Sequence, residues 1–543
     1  MAQQDKPKEP LTWHRSVYID EVQGHQDAFM KFLNFTYSAT KAAGLMLAAA
    51  VIALVATNAG AYELVMSLWG TELGFMVGSY EATMTLGEVI NDVLMAVFFL
   101  LVGLEIKYEM TAGDLVDVRQ ALLPIIAAVG GVVAPIGIYM AFNGGIPETS
   151  HGWGVPTATD IAFALGILSL LGSRVPSGVR VFLSTLAVAD DIIAIIVIAV
   201  FYGHSPSLMW LGCVAVVLAV LVAMNRRHVY SLAPYLAVGV VLWYCVFMSG
   251  VHSTIAGVLL AFTIPAGSRI DLRRFVGWSA SAARKVQSQY DPNVHVSAQE
   301  GYLKTVSSIS HVARQVVPPA TRLEHKLYPW VYFGILPLFA LANADVYLGG
   351  TSVLELMDNP VFFGVFLGLL VGKPLGILLF SFVVVKLKVS SLPENTSWMH
   401  LTGAAILGGV GFTMAIFVAN LAFPDAAHVV NAKLAILLAS ATAGVVGFTF
   451  LAVKAKSDQR RGVAYLTASV DTEHQHTAAA EAAQHSKELL DAIDSPLVRS
   501  ELEQAQRMSE CGVAEVVVDL GADGRFGHQD DEADQGGASQ GKR

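Results

Sequence analysis

The sequence predicts an all-α polytopic membrane protein of about twelve transmembrane helices. Three observations carry that reading. The 543 residues are 54% hydrophobic and only 14% charged, with a mean hydropathy of +0.55, a balance too apolar for an ordinary soluble chain. Apolar runs of roughly 17 to 25 residues, long enough to cross a bilayer as helices, recur through the chain. Basic residues occupy alternate connections between those runs, as cytoplasmic loops require.

The expected spans are 36–58, 86–106, 122–142, 154–171, 181–202, 208–224, 232–249, 251–266, 330–347, 360–385, 401–422 and 432–453. Ahead of them, residues 1–35 form a polar N-terminal segment with Lys6, Lys8, Arg15 and Lys31, whereas the next connection, 59–85, has no Lys or Arg and carries Glu63, Glu72 and Glu81. The first span therefore runs outward. Connections after even-numbered spans are basic: Lys107 and Arg119, Arg174 and Arg180, Arg226 and Arg227, nine positive residues within 267–328, then Lys386 and Lys388. Both termini are expected in the cytoplasm, with the chain multi-pass in a cell (inner) membrane. No cleavable signal is expected, because the first apolar stretch is too long for an h-region.

Cys213 and Cys245 lie in predicted helices and Cys511 in the tail, with no pairing pattern or metal-ligand spacing. Of the formal net charge of −10, most belongs to residues 457–543, which hold 17 acidic and 8 basic residues. The expected organisation is the N-terminal segment 1–35, a transmembrane domain 36–456 containing the long cytoplasmic loop 267–328, and an acidic cytoplasmic tail 457–543. That tail combines a candidate amphipathic helix, "SKELLDAIDSPLVRSELEQAQRMSE", with a stretch that reads as disordered, "GHQDDEADQGGASQGKR". Neither loop nor tail shows a catalytic motif, and nothing points to a nucleic-acid partner.

Charges within the spans carry the functional information. Asp190 and Asp191 sit side by side in "STLAVADDIIAIIVIAV", about 15 Å from either interface at roughly 1.5 Å per residue, beyond the reach of so short a side chain. A charge at that depth costs about 2.5–3.5 kcal/mol on the mildest scale, so it must face a partner, water or an ion. Lys373, in "LLVGKPLGILL", is the cation at matching depth, and we pair it with Asp190. A salt bridge that merely pins two helices is the plainer alternative.

A third acid, Asp160, lies in "GVPTATDIAFALG", where Pro156, Thr157 and Thr159 interrupt the fourth run; the eleventh is weakened by Gly408, Gly409 and Gly411 in "ILGGVGFTMAIF". Unwound backbone inside a membrane survives only where it lines a cavity. The fourth span runs inward and the eleventh outward, so spans 3–5 and 10–12 form inverted repeats with two interrupted helices that cross where the charges converge. An acid such as Asp160 suits the N-terminal ends of the broken helices and Lys373 the C-terminal ends.

"INDVLMAVFFLLVGLEIK", "ATDIAFALGILSLLGSRVP", the "ADD" of 189–191, "GVHSTIAGV", "RLEHKLYPW", "VGKPLGI" and "GVGFTMAIF" closely resemble the NhaA-type sodium/proton antiporters, in order from about residue 36 to 456. That family is a standard example of inverted repeats with broken helices, so repeat and resemblance count as one observation. The resemblance implies a twelve-helix fold, Asp191 as principal cation ligand, Asp190 as second essential aspartate, Lys373 as its partner, and Asp160 with Thr159 beside the crossing. It also implies a homodimer that exports Na⁺ or Li⁺ in exchange for inward-moving protons, without a resident cofactor.

Exchange follows from elementary chemistry. A hard cation takes oxygen ligands, and a protonated carboxyl is a poor one, so protons and sodium compete for Asp191 and Asp190. Two carboxylates, or one with Lys373, can release more than one proton per Na⁺, making transport electrogenic and more active at alkaline pH. In the family an ionisable cluster at the cytoplasmic mouth sets that response, and Glu105, Lys107, Glu109, Glu324 and His325 fall on its positions. Tyr108 and Tyr328 depart from the pattern, the first standing where a basic residue is usual and the second where the family has a second histidine. Asp92, His252, Asn343 and Asp345 read as polar helix-end residues. The alternatives are a sodium-coupled symporter or a cation channel using the same charges, and more remotely an intramembrane aspartyl protease, whose Tyr-Asp signature occurs here only as Tyr290–Asp291 in a loop.

Overall fold

The computed structural model describes residues 35–461, apart from residues 37, 78–79, 114, 117, 204–205, 348–358 and 394. The N-terminal segment and the stretches of the tail expected to be helical or disordered lie outside the described residues. Each of the twelve apolar runs contains helix. Seven helices are long and apolar enough to cross a membrane: Ala39–Asn58, Leu86–Thr111, Ala121–Asn143, Ser177–Phe201, Leu208–Arg226, Pro360–Lys386 and Ala426–Arg460. Two bent pairs bring the number among the described residues to nine: Pro147–Thr157 with Ile161–Leu170, at 42°, and Trp398–Gly408 with Phe412–Ala422, at 44°.

The other three runs fall short of that length and composition. The seventh is a 17-residue helix, Leu232–Met248, and the eighth only nine residues, Ile255–Thr263. The ninth is divided: Pro319–Trp330 passes through a π-helical turn, Val331–Ile335, into Leu336–Asn343. The last helix runs on to Arg460, past the expected domain edge at 456.

Among the described residues, helix accounts for the fold except in the connection that the charge rule places outside. There Glu72–Val77 pairs antiparallel with Tyr80–Thr85, Glu72 opposite Thr85. Thr85 ends the hairpin and starts the second span: its hydroxyl accepts from Glu88 N at 3.2 Å, while Glu88 Oε2 accepts from Thr85 N at 2.8 Å, a reciprocal cap that satisfies two otherwise orphaned donors. The long loop 267–328 folds into two helices, Leu272–Gln289 and Glu300–Val316, which pack on each other.

Small residues set the central packing. Runs three and ten pack together so closely that a Cβ on Gly376 would stand 2.0 Å from the Gly130 carbonyl oxygen, and one on Gly130 2.4 Å from that of Gly376. Membrane helices associate through this kind of backbone approach, since lipid offers no hydrophobic drive between them. The sixth helix, by contrast, buries only Val214 and Leu221; its remaining apolar surface suits lipid.

Candidate functional site

Both broken spans fail where their sequences cannot sustain helix. Pro156 closes the first half of the fourth run, Ala158 is extended, and Asp160 restarts the helix as its N-cap, with Oδ1 accepting from Phe163 N at 3.0 Å. In the eleventh run helix stops at Gly408 and resumes at Phe412. The two gaps meet: Asp160 N donates to Val410 O at 2.8 Å, and a Cβ on Gly411 would come within 2.9 Å of the Ala158 carbonyl oxygen. Glycine at 411 is what permits one unwound backbone to lie against the other.

The orphaned helix ends are satisfied by the charges that the dipole argument assigns to them. Asp160 serves both N-terminal ends, because its Oδ2 also accepts from Thr413 N at 3.1 Å and Thr413 Oγ1 at 2.6 Å. Lys373 serves a C-terminal end, donating to the carbonyl of Thr157. Ser440, from the last helix, accepts from Gly411 N at 3.3 Å and Phe412 N at 3.1 Å. Neither Thr413 nor Ser440 was singled out by sequence, although Thr413 belongs to a quoted motif; a lone serine in an apolar helix carries no signal that separates it from others.

Lys373 pairs with Asp190: Nζ lies 2.7 Å from Oδ2, with side-chain exposures of 0% and 1%. Thr159 donates to the same oxygen and stands 3.3 Å from the Gly408 carbonyl. Asp190 Oδ1 has no hydrogen-bond partner. A π-helical turn, Gly368–Gly372, immediately precedes Lys373; such turns re-register a helix and are frequent at functional sites.

Asp191 faces elsewhere. It lines a cavity of about 20 Å³ together with Glu105, Thr159, Asp160, Tyr332 and Thr413. One water needs about 10–15 Å³ of such volume, so the space suits a single particle of that size. Asp190 and Lys373 do not line it. Adjacent helical positions diverge by about 100°, and here that divergence gives one aspartate a lysine and the other a cavity. Among the described residues no group of three or more His, Cys, Asp or Glu is arranged to hold a metal ion.

Glu105 belongs to the cavity and accepts from the Tyr332 hydroxyl at 3.4 Å. The Lys107 ammonium donates to the carbonyls of Ala261 at 3.3 Å, Phe262 at 2.8 Å and Ile264, so that it caps the short eighth helix at its negative end. Glu324 stands on the helix that leads into the ninth span, where burial and the neighbouring Glu109 push its carboxyl up to about 7. His325 is exposed. Tyr328 packs on Tyr332 with ring centroids 4.3 Å apart and the planes tilted by 38°.

The polar residues set aside by sequence are paired. Asp92 accepts from Ser253 Oγ at 2.8 Å, and Asp345 bridges Lys433 at 3.0 Å. Asn343 joins Asn91 at 2.9 Å and Asn420 at 2.7 Å, linking the second, ninth and eleventh runs.

The family model described as "Na+/H+ antiporter 1" matches residues 33–451. A protein named Na(+)/H(+) antiporter NhaA from Wolinella succinogenes is 40% identical over 444 residues, covering 81% of this chain and 97% of its own. Proteins of the same name from Helicobacter pylori strain HPAG1 and Oleidesulfovibrio alaskensis are each 44% identical, over 416 and 409 residues, covering 74% and 75% of this chain and 90% of their own. A model match across most of the chain, relatives at this identity, and a site built on two crossed helix breaks agree: the chain belongs to the Na+/H+ antiporter 1 family.

Proposed function

We propose that the protein exports Na⁺ or Li⁺ in exchange for inward-moving protons, with Asp191 as principal cation ligand. One observation carries this reading: Asp191 is a buried carboxylate that forms no salt bridge with a lysine among the described residues, and it lines a cavity of about 20 Å³ at the crossing. A bare carboxylate in such surroundings is costly, so its charge is matched either by a proton or by a cation. The two compete for the same oxygens, and a site that changes the side it opens to only when occupied enforces exchange. Family membership makes the protein a secondary transporter of sodium and protons in a membrane, and not an enzyme.

Asp190 and Lys373 form the charge-compensating arm. Loss of a proton from Asp191 together with one from this arm gives more than one proton per Na⁺, and therefore electrogenic exchange helped by an inside-negative potential. Thr159 and Asp160 hold the crossing in shape beside the cation. Glu105, Glu109, Glu324 and His325 lie at the cytoplasmic mouth and set the pH response, so that activity rises at alkaline pH. The functional unit is a homodimer in the inner membrane with both termini in the cytoplasm.

The test uses inverted membrane vesicles holding a preformed pH gradient. Addition of NaCl or LiCl collapses the gradient, KCl does not, and purified protein releases protons on binding sodium. Sodium uptake without proton release, or sodium-dependent uptake of a second solute, overturns the exchange.

A further inference from the structure

Three hydroxyls line the cavity that holds Asp191: Thr159, Thr413 and Tyr332. Each has a single proton to donate and lone pairs with which to accept. Thr159 donates to Asp190, Thr413 to Asp160 at 2.6 Å, and Tyr332 to Glu105 at 3.4 Å. With the protons committed to carboxylates, the oxygens can meet the cavity only as acceptors. A cation seeks such neutral oxygens when it enters a space too small for its hydration shell.

Tyr332 is the least expected of the three, because it comes from the ninth run, far in sequence from both helix breaks. The residue is 8% exposed and its ring packs, tilted by 38°, on that of Tyr328. It sits on the π-helical turn Val331–Ile335, which adds a residue to the local turn and changes the direction in which the following side chains project. We propose that the Tyr332 hydroxyl oxygen is a neutral ligand of the transported cation, in the cavity shared by Asp191 and Glu105. This assignment rests on the antiporter reading above and adds a ligand to it. Glu105 then acts on the cation partly through Tyr332, by holding the hydroxyl proton away from it.

Tyr332→Phe keeps the ring and its stacking and removes only the oxygen. In inverted vesicles at fixed pH, the expected result is a sodium KM raised about tenfold, the equivalent of about 1.4 kcal/mol, with maximal rate nearly unchanged. Purified Tyr332→Phe protein should melt at the wild-type temperature without sodium and gain less stability than wild type when NaCl is added. An unchanged sodium KM overturns the assignment. So does a fall in rate that tracks a lower melting temperature in sodium-free buffer, since that outcome marks a packing role. If wild-type vesicles themselves ignore sodium, the antiporter reading fails and not merely this ligand.

Discussion

The Lys373 ammonium lies 2.7 Å from Asp190 Oδ2, and it also holds the Thr157 carbonyl where the fourth span breaks. One cation thus neutralises an acid and a helix C-terminus on two different spans. Removing one partner of a buried pair leaves the other charge uncompensated, at a cost of about 3–5 kcal/mol. Lys373→Ala is expected to lower the melting temperature of the purified protein and to cripple sodium-dependent gradient collapse. Adding Asp190→Asn should restore part of the stability but not the transport. Equal melting temperatures for wild type and Lys373→Ala would show that the pair contributes nothing to folding.

Asp191→Asn should behave differently. The residue lines a cavity and, among the described residues, forms no salt bridge with a lysine, Lys373 being held by Asp190, so replacing its carboxylate leaves no unpaired buried cation behind. The expected outcome is loss of the sodium and lithium response in inverted vesicles, with a melting temperature at or above wild type. Retention of sodium-driven proton release would remove Asp191 from the ligand set.

Glu324 makes a prediction about pH. Its carboxyl titrates at about 7 against an ordinary 4.5, so the folded protein holds this proton more tightly than the unfolded chain does. Its contribution to stability is full below the unfolded value and is lost as pH rises through about 7. Glu324→Gln should therefore flatten the decline of melting temperature across that window. The same ionisation places a second negative charge near Glu109, drawing cations to the mouth as pH rises. Transport by Glu324→Gln should reach half-activation at a more alkaline pH, measured as gradient collapse over a pH series. An unshifted profile would assign the activation elsewhere.

The length of the tail can be tested at single-residue precision. Asp458 is only 4% exposed, lies 3.1 Å from His400 Nε2 on the eleventh run, and accepts from Lys454. Deletion of 462–543 should leave transport and stability close to wild type, because the described helix ends at Arg460. Deletion of 457–543 removes Asp458 and leaves His400 and Lys454 without it, so a lower melting temperature is expected. Equal stability of the two truncations would show that this bridge has no structural weight.

The sequence by itself determined the class and the chemistry of this protein. A bilayer cannot hide a charge or an unwound backbone, so Asp160, Asp190, Asp191, Lys373 and the two breaks stood out against apolar runs, and even the division of acid and base between helix ends followed from the dipole. Depth and resemblance already paired Lys373 with Asp190, but only tertiary structure gave the physical reason, because adjacent residues are equivalent in composition and differ only in the direction that turns Asp190 to the lysine and Asp191 to the cavity. It also placed the Lys107 ammonium on the carbonyls that end the eighth helix and brought Tyr332 to Glu105. Those relationships depend on helix rotation, on π-helical turns and on partners more than a hundred residues away, and local sequence pattern records none of the three.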